Sequence, residues 1–70
     1  MQASVGRIVH FQDPSANGEC VARAALIVKV NNDDTVNLAV WDGTGSQTSY
    51  GGVKWSQDPT PYHWNWPPRV

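Results

Sequence analysis

The side chains in this 70-residue sequence that could do chemistry are few: Cys20, His10 and His63, the arginines Arg7, Arg23 and Arg69, and the tryptophans Trp41, Trp55, Trp64 and Trp66. Cys20 and His63 are a conceivable nucleophile and base. Cys20, however, falls in phase with the apolar side of its segment, where a thiol packs as a small hydrophobe. Cys20, His10 and His63 are also potential metal ligands, yet they are widely separated singles without C-x-x-C or H-x-x-x-H spacing. The six carboxylates, Asp13, Glu19, Asp33, Asp34, Asp42 and Asp58, sit mainly in turn-like stretches, where an aspartate stabilises the turn itself. The glycine-rich run DGTGS lacks the lysine and following helix of a phosphate loop. The expected class is therefore non-enzymatic, with no catalytic residues, metal or cofactor.

Flat aromatic surface remains. The four tryptophans, together with Phe11, Tyr50, Tyr62, His10 and His63, exceed what a core this small can readily hide. In the closing stretch HWNWPPRV, alternation places Tyr62, Trp64 and Trp66 on one face and His63 and Asn65 on the other. If one face is core, some of the remaining rings line a groove or an interface.

These residues must be positioned by strands. In CVARAALIVKV, residues 20–30, one alternate set is wholly apolar: Cys20, Ala22, Ala24, Leu26, Val28 and Val30. The other set contains Arg23 and Lys29 beside Val21, Ala25 and Ile27, so the first set is expected to face the core. TVNLAVW alternates more cleanly, with Val36, Leu38 and Val40 inward, and NNDD between the two segments reads as a hairpin turn. Cys20, Leu26, Val28, Val36, Leu38 and Val40 are thus the predicted buried set. VGRIVHF is a weaker strand with a bend at Gly6, QDPSANGE a loop with an Asn17-Gly18 turn, and DGTG a second turn. The prolines at 59, 61, 67 and 68 exclude a long C-terminal helix. With no helical segment and turns at short intervals, the expected fold is all-β: a single domain over residues 1–70, a small SH3-like or OB-like barrel of four to five short antiparallel strands.

Size and charge narrow the setting. A 70-residue domain buries only about 60% of its unfolded surface and is marginal without reinforcement. Cys20 has no second cysteine to pair with, so a homo-oligomer is the expected reinforcement and a reducing, cytoplasmic compartment the expected location. No run approaches a membrane span and MQASVGRIVHF lacks the long apolar segment of a signal peptide. Five Lys and Arg against six Asp and Glu give a net charge of −1, which leaves no broad basic face for duplex DNA.

VGRIVHF at the start, the C-x-x-RAA-x-IV-x-V pattern over residues 20–30, NLAVW and HWNWPPRV resemble blocks in a set of short proteins encoded by phages, prophages and actinobacterial genomes. The likeness runs in scattered blocks along almost the whole chain, with two departures: Val21 and Ala22 lengthen the spacing from Cys20 to Arg23, and Asn65 intervenes before Trp66. It implies a compact β domain of phage origin, and hence the cytoplasm of a host cell. It supplies no catalytic residues.

Two functions follow. In the first, aromatic rings sandwich a planar base while an arginine pairs with phosphate, so the protein binds a nucleotide-like small ligand and in a phage setting sequesters a nucleotide-derived immune signal. The expected binding residues are Arg7, His10, Arg23, Trp41, Trp55, His63, Trp64, Trp66 and Arg69. The alternative is an SH3-like interaction module whose aromatic groove accepts a Pro-rich or extended peptide.

Overall fold

In the computed structural model, which describes residues 2–14 and 19–67, five strands succeed one another: β1 (Ile8–Pro14), β2 (Cys20–Val30), β3 (Val36–Trp41), β4 (Gln47–Trp55) and β5 (His63–Asn65). They close into a barrel in plain sequence order, β1-β2-β3-β4-β5, without a Greek-key crossing. The all-β barrel expected from the sequence is the fold. One pairing differs from the antiparallel expectation: β4 and β5 run parallel, with Lys54 opposite His63 and Trp55 opposite Trp64. The segment from Ser56 to Tyr62 carries the chain back across the barrel end, so that β5 enters in the same direction as β4. β5 meanwhile pairs antiparallel with β1 and closes the barrel.

The core follows from period-two alternation along each strand. β1 contributes Val9 and Phe11, β2 Ala25 and Ile27, β3 Val36, Leu38 and Val40, β4 Val53, and β5 Trp64, all buried. Phe11 stacks on Tyr50 at 4.5 Å between ring centroids, which extends the apolar interior toward Tyr62. The prediction for β3 holds in full. The prediction for β2 does not: Val28 is 50% exposed, Cys20 and Leu26 are only half-buried, and the buried pair belongs to the opposite phase.

The reason lies in register and in one irregularity. Ala25 is paired with Val9 and Val40, and Ile27 with Leu38, so the inward residues of both neighbours fix which side of β2 faces in. The polar members of that phase do not disturb the interior. Arg23 lies toward the strand end, where its Nε donates to the Asp13 carboxylate at 3.3 Å. Lys29 follows a β-bulge, with Val28 as the extra residue between the Ile27–Leu38 and Lys29–Asn37 pairs, and the bulge reverses the alternation. Lys29 is thereby exposed, and Val30 comes onto the side of Val36.

A second bulge faces the first across β3. Gly51 and Gly52 span the interval that Asn37 alone spans on β3, and Gly52 takes φ +65, a conformation open to glycine at little cost. The Asn37 Oδ1 accepts from the Gly52 N–H at 3.1 Å and from Asn31 Nδ2 at 3.0 Å, which fastens the β2–β3 hairpin to β4. Gly6, at φ +93, turns the chain as expected and donates its N–H to the Ile27 carbonyl. The Asn17-Gly18 turn, Pro68 and Arg69 lie outside the described residues.

Candidate ligand-binding groove

The inward-facing residues that lie beyond the core at one end of the barrel form a half-open cavity of about 630 Å³. That is within the range of roughly 300–1,000 Å³ of small-molecule sites. Trp55, Trp64 and Trp66 line it together with Val30, Ala3, Gln2 and Asp34.

Each lining residue arrives for a local reason. Trp55 continues the inward phase of Val53 to the last residue of β4, paired with Trp64, and stands half-exposed at the rim. Trp64 lies opposite both Phe11 and Trp55 and is 3% exposed, the floor of the groove. Its indole N–H is buried and meets no acceptor among the described residues, a state that costs about 1–3 kcal/mol in ordinary cores. Trp66, two residues on and in the same phase, stands edge-on to Trp64 with centroids 5.2 Å apart and planes at 82°. The Arg7 guanidinium lies 5.6 Å from the Trp66 ring centroid, within cation–π range. Val30 owes its place to the bulge at Val28.

Asp34 comes from the turn between β2 and β3, where it takes a left-handed φ of 66° and donates its N–H to the Asn31 carbonyl at 3.3 Å. Its neighbour Asp33 does the structural work of that turn. The Asp33 carboxylate accepts from the Thr35 hydroxyl at 2.6 Å and the Thr35 N–H at 3.2 Å, and these bonds, the hydroxyl first, hold its pKa below the usual 3.8. Asp34's carboxylate has no such partner among the described residues.

Of the residues the sequence singles out, the structure brings Trp55, Trp64 and Trp66 together, with Arg7 against the far ring. The others stand elsewhere. His10 and Trp41 lie on the outer face, on either side of Ala24 in the ladder. Arg23 is paired with Asp13. His63 alternates away from Trp64 and its Nδ1 is 2.9 Å from the Pro61 carbonyl. Arg69 lies outside the described residues. Sequence reasoning missed Gln2, Ala3, Val30 and Asp34. The signal for Val30 was its place at the end of an alternating strand, and for Asp34 the doubling of aspartates in NNDD, where one suffices for the turn.

Among the described residues no group of three or more His, Cys, Asp or Glu is placed to hold a metal ion, and no helix is long and apolar enough to cross a membrane. Comparison with known protein families, curated proteins and solved structures finds no match for this chain.

Proposed function

We propose that this protein is a non-enzymatic small-ligand binder whose site is the tryptophan-lined mouth of the barrel. The observation that carries the reading is the convergence of Trp55, Trp64 and Trp66 around one cavity of about 630 Å³. Rings fixed by a barrel lose little freedom on binding, so a planar ligand gains stacking at low ordering cost. A nucleotide-derived molecule is the occupant in this reading: its base lies against the tryptophans and its phosphate on the side of Arg7. In a phage setting, a stoichiometric binder of this kind in the host cytoplasm would remove a nucleotide immune signal without any catalytic group. Assembly as a homo-oligomer belongs to the same proposal.

A second reading draws on the half-exposed Trp55 at the open side of the groove, a platform on which proline rings of an extended peptide could lie. Titration followed by tryptophan fluorescence separates the two. Mononucleotides and cyclic nucleotide signals should quench emission in the parent and bind at least about fivefold more weakly to Trp55→Ala, since one stacking partner contributes roughly 1–3 kcal/mol. Saturable binding of a Pro-rich peptide, with no response to any nucleotide, would replace the first reading by the second.

A further inference from the structure

We infer that the groove selects a planar base whose edge presents adjacent N–H donors, a guanine-type base, with the Asp34 carboxylate as its acceptor. This rests on the ligand-binding reading of the groove and names what that site prefers.

Tryptophan faces do not discriminate among bases, because every base has a π-face to stack. Selection must come from the polar side chains of the lining, which among the described residues are Gln2 and Asp34. Asp34 is the one ionisable side chain in that lining among the described residues, and an ionised carboxylate is acceptor-only, with two oxygens that can take two parallel donors. A guanine base offers N1–H and N2–H₂ side by side and so matches both oxygens. Adenine offers one amino group beside a ring-nitrogen lone pair, and uracil places a carbonyl oxygen on each side of its N–H. Either would turn a lone pair toward the carboxylate. The charge also orients the ligand, since phosphate is repelled from the Asp34 side of the mouth.

Two features keep this acceptor available. Asp33 satisfies Thr35, so the turn does not need the Asp34 carboxylate. The turn itself is fixed: the Asn31 N–H donates to the Thr35 carbonyl at 2.8 Å, and Asn31 Nδ2 donates to Thr35 Oγ1 and to Asn37 Oδ1, each at 3.0 Å. Asp34 is exposed before a ligand arrives, so its selectivity is moderate, unlike that of an enclosed polar site.

The test is calorimetric titration of the full chain with guanosine, GMP, adenosine, AMP and an N-acetyl-arginine amide, each repeated with Asp34→Asn. Asparagine tolerates the left-handed backbone of position 34, so the substitution removes the charge and spares the turn. Guanosine and GMP should bind about tenfold tighter than their adenine counterparts, and Asp34→Asn should weaken guanosine about tenfold while leaving AMP within about twofold. Equal or better binding of adenine, or unchanged guanosine binding in Asp34→Asn, overturns the inference and leaves the ligand-binding reading standing. Binding of the arginine amide alone overturns it in favour of a guanidinium-bearing peptide. Silence from every nucleoside and nucleotide overturns both readings.

Discussion

Trp64 and Trp66 meet edge to face at 5.2 Å, yet the first is sealed in the core at 3% exposure and the second stands at the rim beside Arg7. Both hang from the same face of the chain, two residues apart. The barrel ends between them. Trp64 lies within β5 and Trp66 just past its end, which joins the fold's closure to its groove and gives the two rings different energetic roles.

Trp64→Ala should therefore cost about 3–5 kcal/mol, as large-to-small changes at buried aromatics do, and leave this small domain largely unfolded. Trp55→Ala, at a side chain already half-exposed, should cost about 1 kcal/mol or less, in the range of surface changes. Chemical denaturation of the three proteins checks both values; a Trp64→Ala variant that melts like the parent would remove Trp64 from the core.

The inverted phase of β2 leads to a second stability prediction. Ile27→Ala should cost about 2–5 kcal/mol and Val28→Ala less than about 1 kcal/mol, although the two residues are adjacent and similarly apolar. Thermal melts of this pair test the register directly. Equal losses would mean that the register of β2 does not turn Ile27 inward and Val28 outward.

That pair also shows what the sequence could and could not disclose. The extents of β2 and β3, the NNDD hairpin, the bend at Gly6 and the inward face of β3 were legible because alternation and turn residues agree there, whereas β1 runs Ile8–Pro14, through Gln12 to Pro14 that the sequence assigns to a loop. β2 was misread because its outer face is the more apolar one, and because the residues that make its inner face look polar, Arg23 and Lys29, lie at a strand end and beyond a bulge. A bulge adds one residue and reverses the alternation without leaving a compositional mark. The aromatic groove was legible as an excess of tryptophan, but which rings converge depends on the parallel pairing of Trp55 with Trp64, a contact between segments that no local pattern encodes.

Acid should weaken the turns before the core. Hydrogen bonds from the Thr44 hydroxyl first, then from the N–H groups of Thr44 and Ser46, hold the Asp42 pKa below 3.8, and Thr35 does the same for Asp33. A carboxylate whose folded pKa lies below its unfolded value adds stability that is complete above the unfolded value. That stability is lost as pH falls through the folded one. Asp42→Asn should thus lower the melting temperature near neutral pH, and the gap to the parent should close below the ordinary carboxylate pKa. Parallel curves down to the lowest pH reached would contradict the assignment.

The final prediction concerns the outer face of β2. Cys20, Ala22, Ala24, Leu26 and Val28 point away from the core, with Ile8 beside Leu26 on β1 and Trp41 beside Ala24 on β3. Ile8 is 60% and Val28 50% exposed, so this largely apolar surface, with His10 beside Ala24 and Lys29 at its end, is open to solvent in the single chain. The strands close into a barrel through the short β5, and the expected association uses this face and not an added strand. The same patch on two copies can pair about a twofold axis, with the small Ala22 and Ala24 of each receiving the larger Leu26 and Trp41 of the other. Three strands about 4.8 Å apart and some eight residue steps of about 3.3 Å give a footprint on the order of 400 Å² per copy. Two such footprints fall short of the roughly 1,200–2,000 Å² of a stable complex. The expected assembly is therefore a weak dimer that dissociates on dilution. Sedimentation across a concentration series should show a monomer–dimer equilibrium in the parent. Ala24→Lys, which places a charge at the centre of an exposed face, should leave a monomer whose melt at low concentration is unchanged. A parent that remains monomeric at the highest concentration reached, or an Ala24→Lys variant that dimerises as the parent does, would show that this face is not the contact.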